Sequence, residues 1–183
     1  RDPGPPPISY IKHSGGMFMD MTIHDFDMAR YIVGTEVTEV FARGYNLIDP
    51  EIGNAGDIDT GVIVLTFENN VTVTIENSRK ATYGYDQRLE VFGSMGMMKV
   101  ENPLKNTSSF FDEQGAHLPR HLDFFMDRYT ISYQLEVEAF IHALQKNEPM
   151  PITGEDGLKA MLIAEAASMS VKQNRPVRIE EIL

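Results

Sequence analysis

The sequence predicts an α+β fold: a mainly antiparallel open sheet with helices packed on one of its faces. Two observations carry this. Apolar residues recur at helical spacing near both ends of the 183-residue chain, while the middle, from Val37 to about Phe111, switches to strand-like runs separated by turn residues. Helices before and after a strand-rich middle, without strand–helix alternation, are the pattern of an α+β domain. The length suits a single domain over 1–183, since domains cluster near about 100–200 residues.

Each element has a local reason. Pro3-Gly4-Pro5-Pro6-Pro7 is a stiff, extended lead. Ile8 to Lys12 reads as a short strand, broken by Gly15-Gly16. A helix is expected from about Met19 to Val33, with Phe18, Met21, Met28 or Ala29, and Ile32 on one face and Gly34 as its left-handed cap. Val37 to Leu47 alternates loosely. Gly61 to Phe67 and Val71 to Ile75 flank Asn69-Asn70, a hairpin turn because asparagine tolerates positive φ. Arg88 to Phe92 and Met97 to Val100 form a second pair around Gly93-Ser94-Met95-Gly96. Ile131 to Lys146 carries an apolar stripe of Tyr133, Val137, Phe140 or Ile141, and Leu144. The last helix, Thr153 to about Gln173, opens on a capping box of Thr153 and Asp156, and Pro176 forbids its continuation.

Composition narrows the function classes. Hydrophobic content of 42% with 23% charged residues fits a globular chain and excludes disordered and fibrous classes. A net charge of -11 argues against nucleic acid and anionic membrane as partners, because both require a basic face. No apolar run approaches the roughly 18–20 residues that span a bilayer. The absence of cysteine removes disulfides, thiolate zinc sites and thiol nucleophiles together, and the cytoplasm is the expected compartment. A start at Arg1-Asp2-Pro3 without a secretory leader reads as a trimmed piece of something longer.

The segment richest in chemistry runs from Gly15 to Asp27. On a helix, Asp20 and His24 stand one turn apart on the same face. A carboxylate there can fix the imidazole tautomer and leave the other ring nitrogen free as a general base. The glycine pair lets the backbone at the helix entrance come close to another element or a ligand. Two other readings stand beside this one. Asp20 and His24 alone also describe an ordinary surface pair, worth about 0.3–0.5 kcal/mol. Asp20, His24 and Asp27 also describe a three-ligand metal site of a hydrolase or isomerase, although Asp27 has Arg30 as a plainer partner.

The stretch resembles the Gly-Gly-x-x-x-Asp-x-x-x-His-Asp-x-Asp pattern in the C-terminal domain of the Gfo/Idh/MocA oxidoreductase family. Pro5-Pro6-Pro7 with Tyr10-Ile11-Lys12, Tyr83-Gly84-Tyr85-Asp86-Gln87-Arg88, and Phe125 to Tyr129 leading to Tyr133 and the Glu136–Phe140 helix resemble its myo-inositol 2-dehydrogenase branch. The resemblance implies oxidation of a ring hydroxyl of myo-inositol or a related polyol or sugar to a ketone, with NAD taking the hydride. His24 would be the base. Asp20 would orient it and contact substrate hydroxyls. Tyr83 and Tyr85, placed at a strand edge, would donate hydrogen bonds to the polyol, a role that stands level with that of ordinary sheet aromatics.

The family's other half has no counterpart here. No strand leads through Gly-x-Gly-x-x-Gly into a helix, so the N-terminal Rossmann domain is absent and NAD is expected to be held mainly outside this chain. The chain alone is therefore expected to be inactive. Its sheet, with Val and Ile interspersed among Thr on the outer face, is expected to pair with a copy of itself as a homodimer or homotetramer. A non-catalytic sugar-binding or assembly module of the same fold is the alternative; the intact Asp20, His24 and Asp25 weigh against it.

Overall fold

The computed structural model describes residues 1–182. They form two compact units: Pro5–Arg79 with the chain from Ile152 onward, and Arg1–Gly4 with Lys80–Pro151.

The larger unit begins with α1 (Ile8–Ile11), which corrects the strand expected there. Pro7 is extended and occupies the N-cap, and its carbonyl accepts from Tyr10 N and Ile11 N, so the chain winds immediately after the prolines. Gly15 and Gly16 follow at φ 86° and 84°. The expected helix then appears in two parts, a π-helical turn over Phe18–Thr22 and α2 over Ile23–Val33. Gly34 ends α2 in the left-handed region at φ 74°.

Next come β1 (Val37–Tyr45), α3 (Pro50–Asn54), β2 (Thr60–Phe67) and β3 (Thr72–Ser78). The β2–β3 turn uses Asn70 at φ 63°, as its sequence predicts. The unit closes with α5 (Gly154–Gln173), whose Thr153–Asp156 capping box is formed, and with β8 (Val177–Arg178), a short strand that the sequence pattern does not announce. The sheet runs β3-β2-β1-β8 and is antiparallel throughout.

One face of this sheet makes the core. Val40, Ala42, Ile63, Leu65, Phe67 and Ile75 point inward against Phe26 and Ala29 of α2 and Ile163, Ala164 and Ala167 of α5. A bulge between Val37 and Glu39 keeps both Val37 and Val40 on the inner face. The alanines of α5 let its backbone approach β1 closely, and the fully buried Ser170 Oγ accepts from Ala42 N at 2.9 Å. Phe41, Val62, Val64, Thr72 and Thr74 stand on the opposite face of the sheet.

The smaller unit holds two hairpins and a long helix: β4 (Leu89–Gly93) with β5 (Gly96–Val100), β6 (Phe110–Asp112) with β7 (Gly115–His117), and α4 (Phe125–Lys146). The β4–β5 pair is where the sequence predicts it, but forms its own two-stranded ribbon instead of extending the sheet. Helix α4 begins six residues before the predicted Ile131. Its only buried residue among those described is Ala143; Val137, Phe140 and Leu144 of the expected core stripe are exposed. No helix of the described residues is long and apolar enough to cross a membrane.

Candidate active site

The site is built where β3 runs under the helical entrance. Residues of period two on β3 share a face, and the inward series Ile75, Asn77, Arg79 changes from apolar to polar as it passes beneath the π-helical turn. Asn77 is buried. Its Oδ1 accepts from Thr22 Oγ1 at 2.7 Å, and its Nδ2 donates to Asp25 Oδ2 at 2.9 Å. One side chain thus pins the junction between the π turn and α2.

Arg79 is 1% exposed. Its Nη2 lies 3.0 Å from Asp20 Oδ2 and 3.1 Å from Asp57 Oδ2. Asp20 Oδ1 accepts from the Tyr10 hydroxyl at 2.8 Å, and Asp57 Oδ1 accepts from Met17 N at 2.9 Å. The Tyr10 phenol is held above its ordinary pKa, first by its hydrogen bond to Asp20 and then by the charge of that carboxylate. A Cβ on Gly16 would stand 2.8 Å from Asp57 Oδ1, so the glycine permits the close approach that its position in the sequence predicts.

His24 sits one residue into α2 and is exposed. Among the described residues its ring makes no hydrogen bond or ion pair. The direct Asp20–His24 bond expected from α-helical spacing is therefore not formed. The π turn is the reason: its i→i+5 winding shifts the residue above Asp20 away from i+4, and both Asp20 oxygens already have partners. Asp27 pairs with Arg30 at 3.2 Å, and among the described residues no group of three His, Asp or Glu side chains is placed to hold a metal ion.

Tyr83 and Tyr85 belong to the smaller unit and lie in the loop before β4, not at a strand edge. The Tyr83 hydroxyl donates to Asp86 Oδ2 at 2.5 Å, and the Tyr85 hydroxyl donates to Gln87 Oε1 at 3.4 Å. Asp86 is the hub of this loop, also receiving Arg88 through two nitrogens and Asn102 Nδ2. Burial alone would raise its carboxyl, but the hydrogen bonds from Arg88, Tyr83 and Asn102 hold it far below the usual carboxylate range.

Tyr10, Asp57, Asn77 and Arg79 are the site residues that the sequence reading passes over. The inward alternation Ile75-x-Asn77-x-Arg79 is the signal that could have found two of them: a strand face that turns polar at its end faces something polar.

Residues 1–99 match the GFO/IDH/MocA C-terminal domain. The chain belongs to this family. It is 52% identical over 183 residues to the myo-inositol 2-dehydrogenase of Thermotoga maritima, covering all of this chain and 55% of that one. A crystal structure of a probable dehydrogenase from Thermotoga maritima superposes with a TM-score of 0.97 at 52% identity, over 100% of this chain and 55% of that one. A scyllo-inositol dehydrogenase from Lactobacillus casei, solved with bound NAD(H) and scyllo-inositol, superposes with a TM-score of 0.85 at 31% identity, over 92% of this chain and 49% of that one. The chain thus spans about half the length of the curated relatives it matches.

Proposed function

We propose that this chain is the substrate-binding and oligomerisation part of an NAD-dependent dehydrogenase that oxidises a ring hydroxyl of myo-inositol or a related polyol to a ketone. The single observation that carries this reading is the exposed, unbonded His24 imidazole, four residues along the same helical entrance from the Asp20 carboxylate clamped from two sides, in a domain whose relatives are inositol 2-dehydrogenases.

In this reading His24 takes the hydroxyl proton, a step that typically contributes about 10²–10⁴-fold. Asp20, 12% exposed, keeps lone pairs for a neighbouring substrate hydroxyl while Tyr10 and Arg79 hold its plane. Tyr83 and Tyr85 are read as further hydroxyl contacts to the polyol. A bound NAD, held outside this chain, would supply the hydride acceptor for the carbon that bears the reacting hydroxyl.

Among the described residues no strand runs through a Gly-x-Gly-x-x-Gly loop into a helix, the arrangement that cradles a dinucleotide's phosphates. Gly93 and Gly96 turn the β4–β5 hairpin instead of leading a strand into a helix. The cofactor is therefore assigned to the part of the enzyme that this chain does not span, and the 183-residue chain alone is expected not to turn over. Self-association is assigned to the outer face of β1–β3, where Phe41, Val62 and Val64 lie among threonines; light scattering that shows a strict monomer of the full-length protein at high concentration contradicts it. The cytoplasm is the assigned compartment.

The test of the reaction is product analysis. The full-length protein, given myo-inositol and NAD, is expected to form the ring ketone with stoichiometric NADH. NADH formed from another sugar but not from any inositol keeps the reaction and overturns the substrate. The absence of NADH with every polyol and sugar tried favours the binding or assembly module.

A further inference from the structure

We propose that the cavity beside the Gly15-Gly16 entrance is a binding site for a small organic dianion, a phosphate monoester or a dicarboxylate, held between Lys12 and Lys172. The cavity lies wholly in the larger unit. The inference is independent of the reading of Asp20 and His24 as the reacting pair.

The cavity has a volume of about 320 Å³ and is walled by four stretches of chain: the end of α1, Gly15 to Phe18, the loop from Ala55 to Ile58 after α3, and the last turns of α5. That volume stands at the lower end of the range of about 300–1,000 Å³ for small-molecule sites, which suits a small metabolite rather than a dinucleotide. Ile11, Phe18, Ile58 and Val171 give it an apolar wall. Lys12 and Lys172, at the ends of two different helices, are its cations. An apolar wall with a few convergent polar groups is the usual make-up of a ligand site.

The two lysines are not engaged elsewhere. In a chain of net charge -11 cations are the scarce sign, and Lys99, Lys105 and Lys159 are each paired with an acid. Lys12, Lys146 and Lys172 make no hydrogen bond or ion pair among the described residues, and two of these three stand on one cavity. The dipole at the C-terminus of α5 accounts for a lysine at 172. Helix α1 is a single turn of four residues and gives no comparable reason for Lys12.

Asp57 is the one acidic side chain among the lining residues, and it does not cancel the lysines. Its Oδ1 accepts from Met17 N at 2.9 Å, and its Oδ2 meets the Arg79 guanidinium at 3.1 Å, so its charge is already answered. The field in the cavity is therefore set by two ammonium groups beside an apolar, low-dielectric wall, an arrangement that concentrates an anion. Two cations match two negative charges, each met by a charge-assisted hydrogen bond.

The experiment is equilibrium dialysis of the full-length protein with two labelled probes, glycerol 3-phosphate and succinate, in excess NAD so that a dinucleotide site is filled. The parent is expected to bind one molecule of at least one probe per chain, saturably, and more weakly as salt is raised. Lys12→Met and Lys172→Met keep most of the apolar stem, and each is expected to weaken binding about tenfold or more. The double variant is expected to show no binding at concentrations that saturate the parent. Lys146→Met, which removes the unpartnered lysine outside the cavity, and His24→Ala are expected to bind as the parent does. All four positions are exposed, so folding is not at stake. No saturable binding of either probe to the parent overturns the proposal. So does parent-like binding in the double variant, or an equal loss in Lys146→Met, which marks a diffuse effect of net charge. A loss in His24→Ala places the anion in the polyol site and overturns it too.

Discussion

The Thr22 hydroxyl donates to Asn77 Oδ1 at 2.7 Å, and both residues are buried. This bond joins the end of the π turn to the inner face of β3, and the other end of the Asn77 amide reaches Asp25. Asn77→Ala leaves two polar groups short of partners. It is expected to cost about 2–3 kcal/mol, read as a fall in the denaturation midpoint with an unchanged m-value. Thr22→Val, which strands a single acceptor, should cost about half as much.

Asp59 makes the fold sensitive to acid. It is fully buried, and its two oxygens accept from Leu47 N, Ile48 N, Asp49 N and Thr60 Oγ1 at 2.8–3.0 Å. Burial pushes its carboxyl up, but the backbone donors of Leu47, Asp49 and Ile48 outweigh it, so the folded pKa lies below the ordinary 3.8. The unfolded chain thus binds the proton more tightly. The stabilisation is complete above the ordinary carboxylate pKa and is lost as pH falls below it through the folded value. Asp59→Asn should flatten the acid side of the stability curve, which denaturation midpoints across the acid range would show; an unchanged slope contradicts the assignment.

Gly16→Ala tests the close approach at the helical entrance. The backbone sits at φ 84°, and a Cβ would meet Asp57 Oδ1 at 2.8 Å. Strain and displacement of Asp57 together should cost about 1–3 kcal/mol. Activity should fall further than stability alone explains, because Asp57 holds one side of Arg79. A variant with parent stability would show that the entrance is looser than the structure has it.

Arg30 ties α2 to the start of α5. It meets Glu36 through two bonds of 2.8 Å, Asp27 at 3.2 Å and Asp156 at 3.5 Å. Its acidic partners are more than a third exposed, so solvent screening limits the gain. Arg30→Met should cost about 1–2 kcal/mol at low salt, and the difference from the parent should shrink in 1 M salt, where the Debye length falls to about 3 Å. A salt-independent difference would mean that packing of the arginine stem, not charge, is what the variant loses.

Much of the fold is legible in the sequence because period and turn chemistry agree there. The Asn69-Asn70 hairpin, the Gly34 cap and the Thr153–Asp156 box are local devices whose residues act on their own neighbours. What is not legible depends on distant partners. Pro7 starts a helix where β-branched Ile8 and Ile11 suggest a strand, because the proline carbonyl can receive Tyr10 N and Ile11 N. The π turn has no period of its own to betray it, so the Asp20–His24 spacing reads as one α-helical turn. The apolar positions of α4 announce a buried stripe, yet Val137, Phe140 and Leu144 stay exposed among the described residues. In the site, Asp20 and His24 stand out through their motif, whereas Arg79 and Asp57 become neighbours only after β3 has paired with β2.

The most direct test of the central claim is kcat/KM for myo-inositol with NAD in the full-length enzyme, comparing the parent with His24→Ala after both are shown to be folded. The account predicts an active parent and a loss of about 10²-fold or more in the variant, in kcat as well as kcat/KM. A variant that keeps most of the parent's kcat would contradict it, because no other residue of this chain is assigned the proton.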